Sequence, residues 1–303
     1  MTDSTMLDDA LDLLACPHCA GALSRSGGGV TCANGHAFDV ARSGYLSLLP
    51  GDAKMGSADT AEMVAAREAF LGAGHFEPLA EAVAGEAERA LGGPPNQAIG
   101  DQAAPVLGSP AERPRLPRGC IIDLGAGTGW YLARVLDRLP GRIGLALDLS
   151  KHALRRAARA HPRIAAVACD AWRPLPVRDS VADVVLSVFA PRNGPELARV
   201  LRPGGALVVT TPTERHLVEL VERLRLLTVD ERKHERLATA LDAHLVLERR
   251  KAYEWPLELT PGDVANAVAM GPSARHATRA ETGTGGTAVT ASVTISTYRA
   301  GSG

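Results

Sequence analysis

Four residues near the start of the chain, Cys16, Cys19, Cys32 and His36, fall as C-x2-C-x12-C-x3-H. Two short-loop pairs of soft thiolate and imidazole donors, with no position left open, make the ligand set of a structural tetrahedral zinc. A second chemical group lies in CIIDLGAGTGWYLARVL, residues 120–136. Gly125, Gly127 and Gly129 there allow a turn to pass close to a ligand, between a buried strand and an amphipathic helix predicted to begin near Thr128.

The following apolar runs each carry an acid at their C-terminal end. LALDLS places Asp148 where a carboxylate can accept both ribose hydroxyls of an adenosine. VACDAW places Asp170 at the same edge, where its carboxylate or a neighbouring backbone amide can meet an adenine amino group. A tight turn that only packs helix on strand uses the same glycines, so the acids decide. DLGAGTG also lacks the last glycine of GxGxxG, and acids beside it would repel a pyrophosphate. A cationic, phosphate-free nucleoside fits better than a dinucleotide.

The fourth run ends VLSVFAPRNGPEL and brings Phe189, Pro191, Arg192 and Asn193 to the sheet edge where ligands bind. A plain turn built on Pro191 and Asn193 is the competing reading. Trp130, Trp172 and Phe189 can each offer a stacking face, and peripheral packing accounts equally for the tryptophans. The helix SKHALRRAARAHPR, Ser150 to Arg163, holds Lys151, Arg155, Arg156, Arg159 and Arg163 with no acid, so it is either a solvated face or a phosphate contact. Cys120 and Cys169 lie in apolar strands without partners and read as buried small hydrophobes.

These groups need four kinds of segment to position them. Residues 1–50 form the predicted zinc ribbon, too small to hold itself together by core burial alone. Residues 51–91 form connecting helices, two of them, with a Gly-containing turn at 72–75. Residues 92–118 are dense in Pro and Gly and are expected to be a flexible linker. Residues 119–303 alternate short apolar runs with helical patterns, the mark of an α/β domain with a parallel sheet. Its tail, HLVLERRKAYEW and TAVTASVTISTYR around the helix TPGDVANAVAM, predicts a closing antiparallel pair.

A formal net charge of −1 gives no bulk attraction to nucleic acid or membrane. No run of 18 apolar residues occurs, and the acidic N-terminus is unlike a signal peptide, so a cytoplasmic protein with reduced thiols is expected.

DLGAGTG, LALDLS, ACDA and LRPGGALVVTTP resemble the successive motifs of class I S-adenosylmethionine-dependent methyltransferases. Together with CPHC, CANGHAFDVARSGYLSLL, DTAEMVAAREAFLGAGHFEPL and FAPRN, they make the chain similar to the 23S rRNA guanine-N1 methyltransferases, including those that protect macrolide producers. The resemblance runs from Cys16 to about Gly271.

It implies a Rossmann-like seven-stranded α/β domain with a reversed last strand behind the N-terminal ribbon. It implies S-adenosyl-L-methionine as cofactor, with Asp123, Gly125, Ala126, Gly127, Thr128, Gly129, Asp148, Leu149, Asp170, Ala171, Asn193 and His75 as its binding residues, and a structural Zn2+ on Cys16, Cys19, Cys32 and His36. His75 and Phe76 either close over the cofactor or pack a helix turn. Phe189, Arg192 and Asn193 are implied to position the base, and no general base is evident. The implied acceptor is N1 of a guanine in a 23S rRNA hairpin loop, with the ribbon gripping the hairpin and the protein pairing as a homodimer. FAPRN and MGPSARH, Met270 to His276, are closer to the tylosin-resistance branch, favouring guanine 748 over 745. A small-molecule methyltransferase with a structural ribbon is the competing expectation.

Overall fold

A computed structural model describes residues 5–53, 56, 58–92, 119–224, 241–271, 274 and 286–301. Nearly all of the expected linker and part of MGPSARH lie outside the described residues.

The central strands are β5 (Cys120–Leu124), β6 (Ile143–Asp148), β7 (Ile164–Ala168), β8 (Ala182–Val188), β9 (Leu201–Pro212), β10 (Leu245–Leu259) and β11 (Thr287–Ala300). Every residue of β5, β7 and β8 is buried, as expected of parallel strands covered on both faces. The order is β10-β11-β9-β8-β5-β6-β7-β4, and β11 runs antiparallel to both its neighbours. This reversed strand lies between β9 and β10, as the tail pattern required.

The expected seven strands are joined by an eighth. The two-residue β4 (Leu46–Ser47), from the YLSLL segment, pairs in parallel with Val167 and Ala168 of β7. Leu46 and Leu48 are thereby buried against an edge that would otherwise be open.

The ribbon is a three-stranded antiparallel sheet of β1 (Leu23–Ser26), β2 (Gly29–Cys32) and β3 (Ala37–Asp39). It follows the short helix α1 (Thr5–Ala10) and a 3-10 turn, Leu11–Leu13. Cys16, Leu23, Val30 and Phe38 belong to one continuous apolar cluster with Ile122, Leu145 and Val167 of the central sheet. Hydrogen bonds seal the joint: Ala15 N–H donates to Pro176 O at 3.1 Å, and the Arg178 side chain donates from Nε to Leu14 O at 3.2 Å. Burial against the large sheet supplies the core that the ribbon lacks by itself.

The opposite face is covered by α2 (Ala61–Gly72), α3 (Glu77–Ala90), α4 (Trp130–Arg138), α5 (Lys151–Ala160) and α8 (Pro261–Met270). Helices α6 (Gly194–Val200) and α7 (Val218–Leu224) follow β8 and β9. Helix α4 starts at Trp130 rather than Thr128, because Gly129, at φ +76°, is the left-handed N-cap. Arg163, grouped by sequence with the basic face of α5, donates instead to the carbonyls of Leu139 at 2.9 Å and Arg142 at 2.8 Å. It binds the carbonyls past the end of α4, so it belongs neither to a solvated face nor to a phosphate contact, the two readings the sequence left open. Arg156 pairs with Glu68 at 3.2 Å, whereas Lys151, Arg155 and Arg159 have no ion-pair partner among the described residues.

Candidate functional site

Two tight knuckles converge in the ribbon. Cys16 N–H donates to Gly21 O at 2.9 Å while its carbonyl receives Ala20 N–H, and Cys32 N–H donates to His36 O at 3.0 Å. The four donor atoms lie within 4.8 Å of one another. Cys19 Sγ stands 3.7 Å from Cys32 Sγ, and His36 Nδ1 stands 3.5 Å from Cys16 Sγ and 3.3 Å from Cys32 Sγ. A tetrahedron around zinc has edges of about 3.8 Å between sulfurs and about 3.6 Å between sulfur and nitrogen. All five cysteines are free thiols. The Gly21 amide, then the Asn34 side chain, hold the Cys19 thiol down to about 6, which favours the thiolate that a metal needs. The donor set therefore fits a structural zinc.

At the C-terminal edge of the central sheet the glycine turn is clamped from three sides. Gly125, at φ +73°, packs so closely under the loop after β8 that an added Cβ would lie 2.6 Å from Ala190 Cβ. At Gly129 a Cβ would meet Ala157 Cα of α5 at 3.0 Å. Asp148 Oδ2 accepts Gly127 N–H at 2.8 Å and its Oδ1 accepts Ser150 N–H at 2.7 Å, so both oxygens already brace the turn and the start of α5. Ser150 Oγ donates to Asp59 O at 2.7 Å, and Arg67 of α2 pairs with Asp59 and donates to Met270 O at 3.0 Å. The connecting helices thus fold over the turn.

The surrounding groups are acids rather than phosphate receptors. Asp123 is sealed within β5, and burial, then the charge of Asp148, pushes its carboxyl up to about 7. Burial likewise raises Asp148. Asp170 Oδ1 accepts Trp172 N–H at 3.0 Å. A turn that a side chain would fill, lined by Asp123, Asp148 and Asp170, fits the hydroxyls, amino groups and positive charge of S-adenosylmethionine. Asp123, Gly125, Ala126, Gly127, Thr128, Gly129, Asp148, Leu149, Asp170 and Ala171 all lie along this edge, on or just beyond β5, β6 and β7.

The remaining expected residues divide. Asn193 Nδ2 donates to Ala171 O at 3.3 Å and Arg173 O at 3.5 Å, tying the loop after β8 to the loop after β7. Arg192 is buried, its Nε is sealed from solvent, and it has no hydrogen-bond or ion-pair partner among the described residues. Burial lowers its pKa, as it must for an uncompensated guanidinium. Phe189 is 40% exposed at φ +55°, a left-handed backbone that a bulky residue rarely adopts.

His75 lies in the turn between α2 and α3, its Nε2 facing Asp263 Oδ1 at 3.3 Å and its carbonyl receiving Trp255 Nε1–H at 3.0 Å. It stacks 5.0 Å from Phe70, which meets Phe76 edge-on. Phe76 in turn stands 6.4 Å from Phe189. Trp172 is 62% exposed beside Asp170, whereas one face of Trp130 is taken by the Arg134 guanidinium at 3.7 Å. Cys120 and Cys169 are buried, as read. Sequence reasoning passed over Arg67, Asp59 and His216, all drawn to this edge from segments distant in the chain.

A zinc ribbon packed on a sheet of order β7-β6-β5-β8-β9-β11-β10 with this turn defines a ribbon-bearing class I S-adenosylmethionine-dependent methyltransferase. A family model for the RlmA N-terminal zinc ribbon matches residues 14–57, and one for a methyltransferase domain matches residues 121–205. A putative 23S rRNA (guanine-N(1)-)-methyltransferase of Micromonospora griseorubida is 49% identical, over 89% of this chain and 90% of that one. The 23S rRNA (guanine(748)-N(1))-methyltransferase of Streptomyces fradiae is 45% identical over 89% of both. A putative 23S rRNA (guanine-N(1)-)-methyltransferase of Bacillus subtilis is 30% identical over 69% of this chain and 67% of its own. The chain belongs to the 23S rRNA (guanine-N1)-methyltransferase family.

Proposed function

We propose that this protein transfers a methyl group to N1 of a guanine in a hairpin loop of 23S rRNA domain II. The observation that carries this is the likeness of ribbon, connecting helices and catalytic domain together to enzymes whose names state that reaction. Guanine 748, named for the Streptomyces fradiae relative, is the favoured target, and resistance to tylosin-type macrolides the favoured role.

When bound, S-adenosylmethionine supplies a methyl on a sulfonium, whose C–S electron pair stays with sulfur on transfer. The chain's part is positioning and charge. Guanine N1 must lose its proton before it is nucleophilic, and negative charge then develops on O6. Arg192, buried in the same loop as Phe189 and without an acidic partner among the described residues, sets a positive potential at that edge. Phe189 offers its exposed face for stacking a base drawn out of the loop. Asn193 holds the two loops in register.

Ribosomal RNA as substrate places the work in the cytoplasm, and the working form is a homodimer, which light scattering on the purified protein checks. No helix among the described residues is long and apolar enough to cross a membrane. The test is labelled S-adenosylmethionine offered with 23S rRNA lacking the modification and, separately, with a metabolite extract. Label in the rRNA alone supports the reading. Label in a small molecule and none in RNA contradicts it.

A further inference from the structure

His216 follows β9 in the loop TTPTERH and joins the aromatic group at the sheet edge. Its ring lies 5.6 Å from Phe189 and 5.9 Å from Phe76, centroid to centroid. Its Nδ1 accepts the backbone N–H of Ser292 at 3.2 Å, so that nitrogen holds a lone pair. A neutral imidazole has one proton, which must therefore sit on Nε2. Burial pushes the pKa of His216 down to about 4, so the ring is neutral throughout the physiological range. Nε2 has no hydrogen-bond partner among the described residues.

The anchor is stiff. Ser292 Oγ lies 2.6 Å from Thr213 Oγ1 and donates to Glu254 Oε2 at 3.3 Å, while Ser292 O receives Thr213 N–H at 3.1 Å. These bonds fix the tautomer and limit the ring's rotation. Beside it, Phe189 holds a strained left-handed backbone, φ +55°. A strained, exposed aromatic next to an oriented donor with no protein partner among the described residues is the arrangement of a receptor for a flat polar ring.

We propose that His216 reads the target guanine, its Nε2–H donating to O6 of a base stacked on Phe189. The assignment rests on the rRNA reading above and adds the residue that recognises the base. Guanine presents an acceptor at O6, whereas adenine presents an amino donor at the same place, where two donors would oppose each other. During transfer the N1 proton leaves to solvent, the N1 electron pair forms the bond to the methyl carbon, and the negative charge that gathers on O6 relaxes to a neutral carbonyl. A donor already aimed at O6 stabilises that charge without reorganising. His216 is not the proton acceptor, because its only lone-pair nitrogen is bound to Ser292.

Two substitutions separate reading the base from holding the fold. In His216→Asn the amide oxygen can replace Nδ1 toward Ser292, but nothing reaches the Nε2 position. In His216→Gln an amide N–H reaches that position, but the Ser292 contact is lost. Single-turnover methylation of an unmodified hairpin transcript is measured, with S-adenosylhomocysteine affinity by titration and the melting temperature of each variant. The expected result is a rate loss of about 10²-fold or more for His216→Asn, at unchanged S-adenosylhomocysteine affinity, with His216→Gln within about tenfold of wild type. A merely structural role reverses that order. An active wild type with a fully active His216→Asn, or with His216→Gln as impaired as His216→Asn, overturns the assignment alone. A wild-type protein inert toward the hairpin overturns the rRNA reading and the assignment with it.

Discussion

Replacing Asp123 by Asn tests the electrostatics of the cofactor edge without touching the RNA. In the folded protein the carboxyl stands at about 7, against 3.8 for the free side chain, because burial and the neighbouring Asp148 disfavour its charge. The folded value lies above the unfolded one, so this group's stabilisation is fully present below pH 3.8 and is lost as the pH rises to about 7. Over that whole interval the loss is on the order of 4 kcal/mol, at about 1.4 kcal/mol per pH unit. Between about pH 5.5 and about pH 8.5 only the part up to the folded pKa remains, about 2 kcal/mol. Asn cannot ionise and carries none of this dependence. Cofactor-free wild type and Asp123→Asn are compared by thermal unfolding at both pH values, so that titrating groups that do not interact with Asp123 cancel in the difference of differences. The variant should gain about 2 kcal/mol on wild type between the low and the high pH, or roughly 4 °C in melting temperature. An equal difference at both pH values, or a variant that falls further behind at high pH, would refute the claim that Asp123 is held partly protonated.

Three further outcomes follow from the same geometry. Gly125→Ala adds a methyl 2.6 Å from Ala190 Cβ at a φ of +73°, so it should weaken S-adenosylhomocysteine binding by about tenfold or more in titration calorimetry; unchanged affinity would contradict the close-packed turn. Arg192→Met removes a buried charge that no acid among the described residues compensates, so it should raise stability by on the order of 1–3 kcal/mol in denaturant titration while slowing methyl transfer about 100-fold. A destabilised or fully active variant would remove Arg192 from the account. Stripping zinc with a chelator, or Cys16→Ser with Cys19→Ser, should abolish rRNA methylation and lower the melting temperature by on the order of 10 °C, because the ribbon and central sheet share one apolar cluster. A metal-free protein that melts and methylates as before would contradict that coupling.

What the sequence revealed was whatever is written within a short span. The ribbon ligands announce themselves because zinc geometry constrains spacing inside two turns, and the glycine turn because strand, glycines and helix are contiguous. Five of the central strands were visible as apolar runs, and β10 and β11 as the strand pattern of the tail. The pairing of β4 with β7 was not, since two residues that pair more than a hundred positions on leave no periodicity. Arg163 looked like part of a basic face because the α4-side carbonyls it binds belong to another segment. His216 gave no signal at all. Its meaning depends on Ser292 fixing one ring nitrogen and on Phe76, from the other end of the chain, standing beside it.

The most direct test of the central claim is to react the zinc-loaded protein and S-adenosylmethionine with 23S rRNA lacking the modification, then map the product by primer extension and by mass spectrometry of digested fragments. One strong stop at a single guanine of the domain II hairpin loop, absent without protein, with one added methyl on N1, is the predicted result. Methylation at another base atom, methyl spread over many sites, or RNA left unmodified by a protein that binds S-adenosylhomocysteine would contradict it.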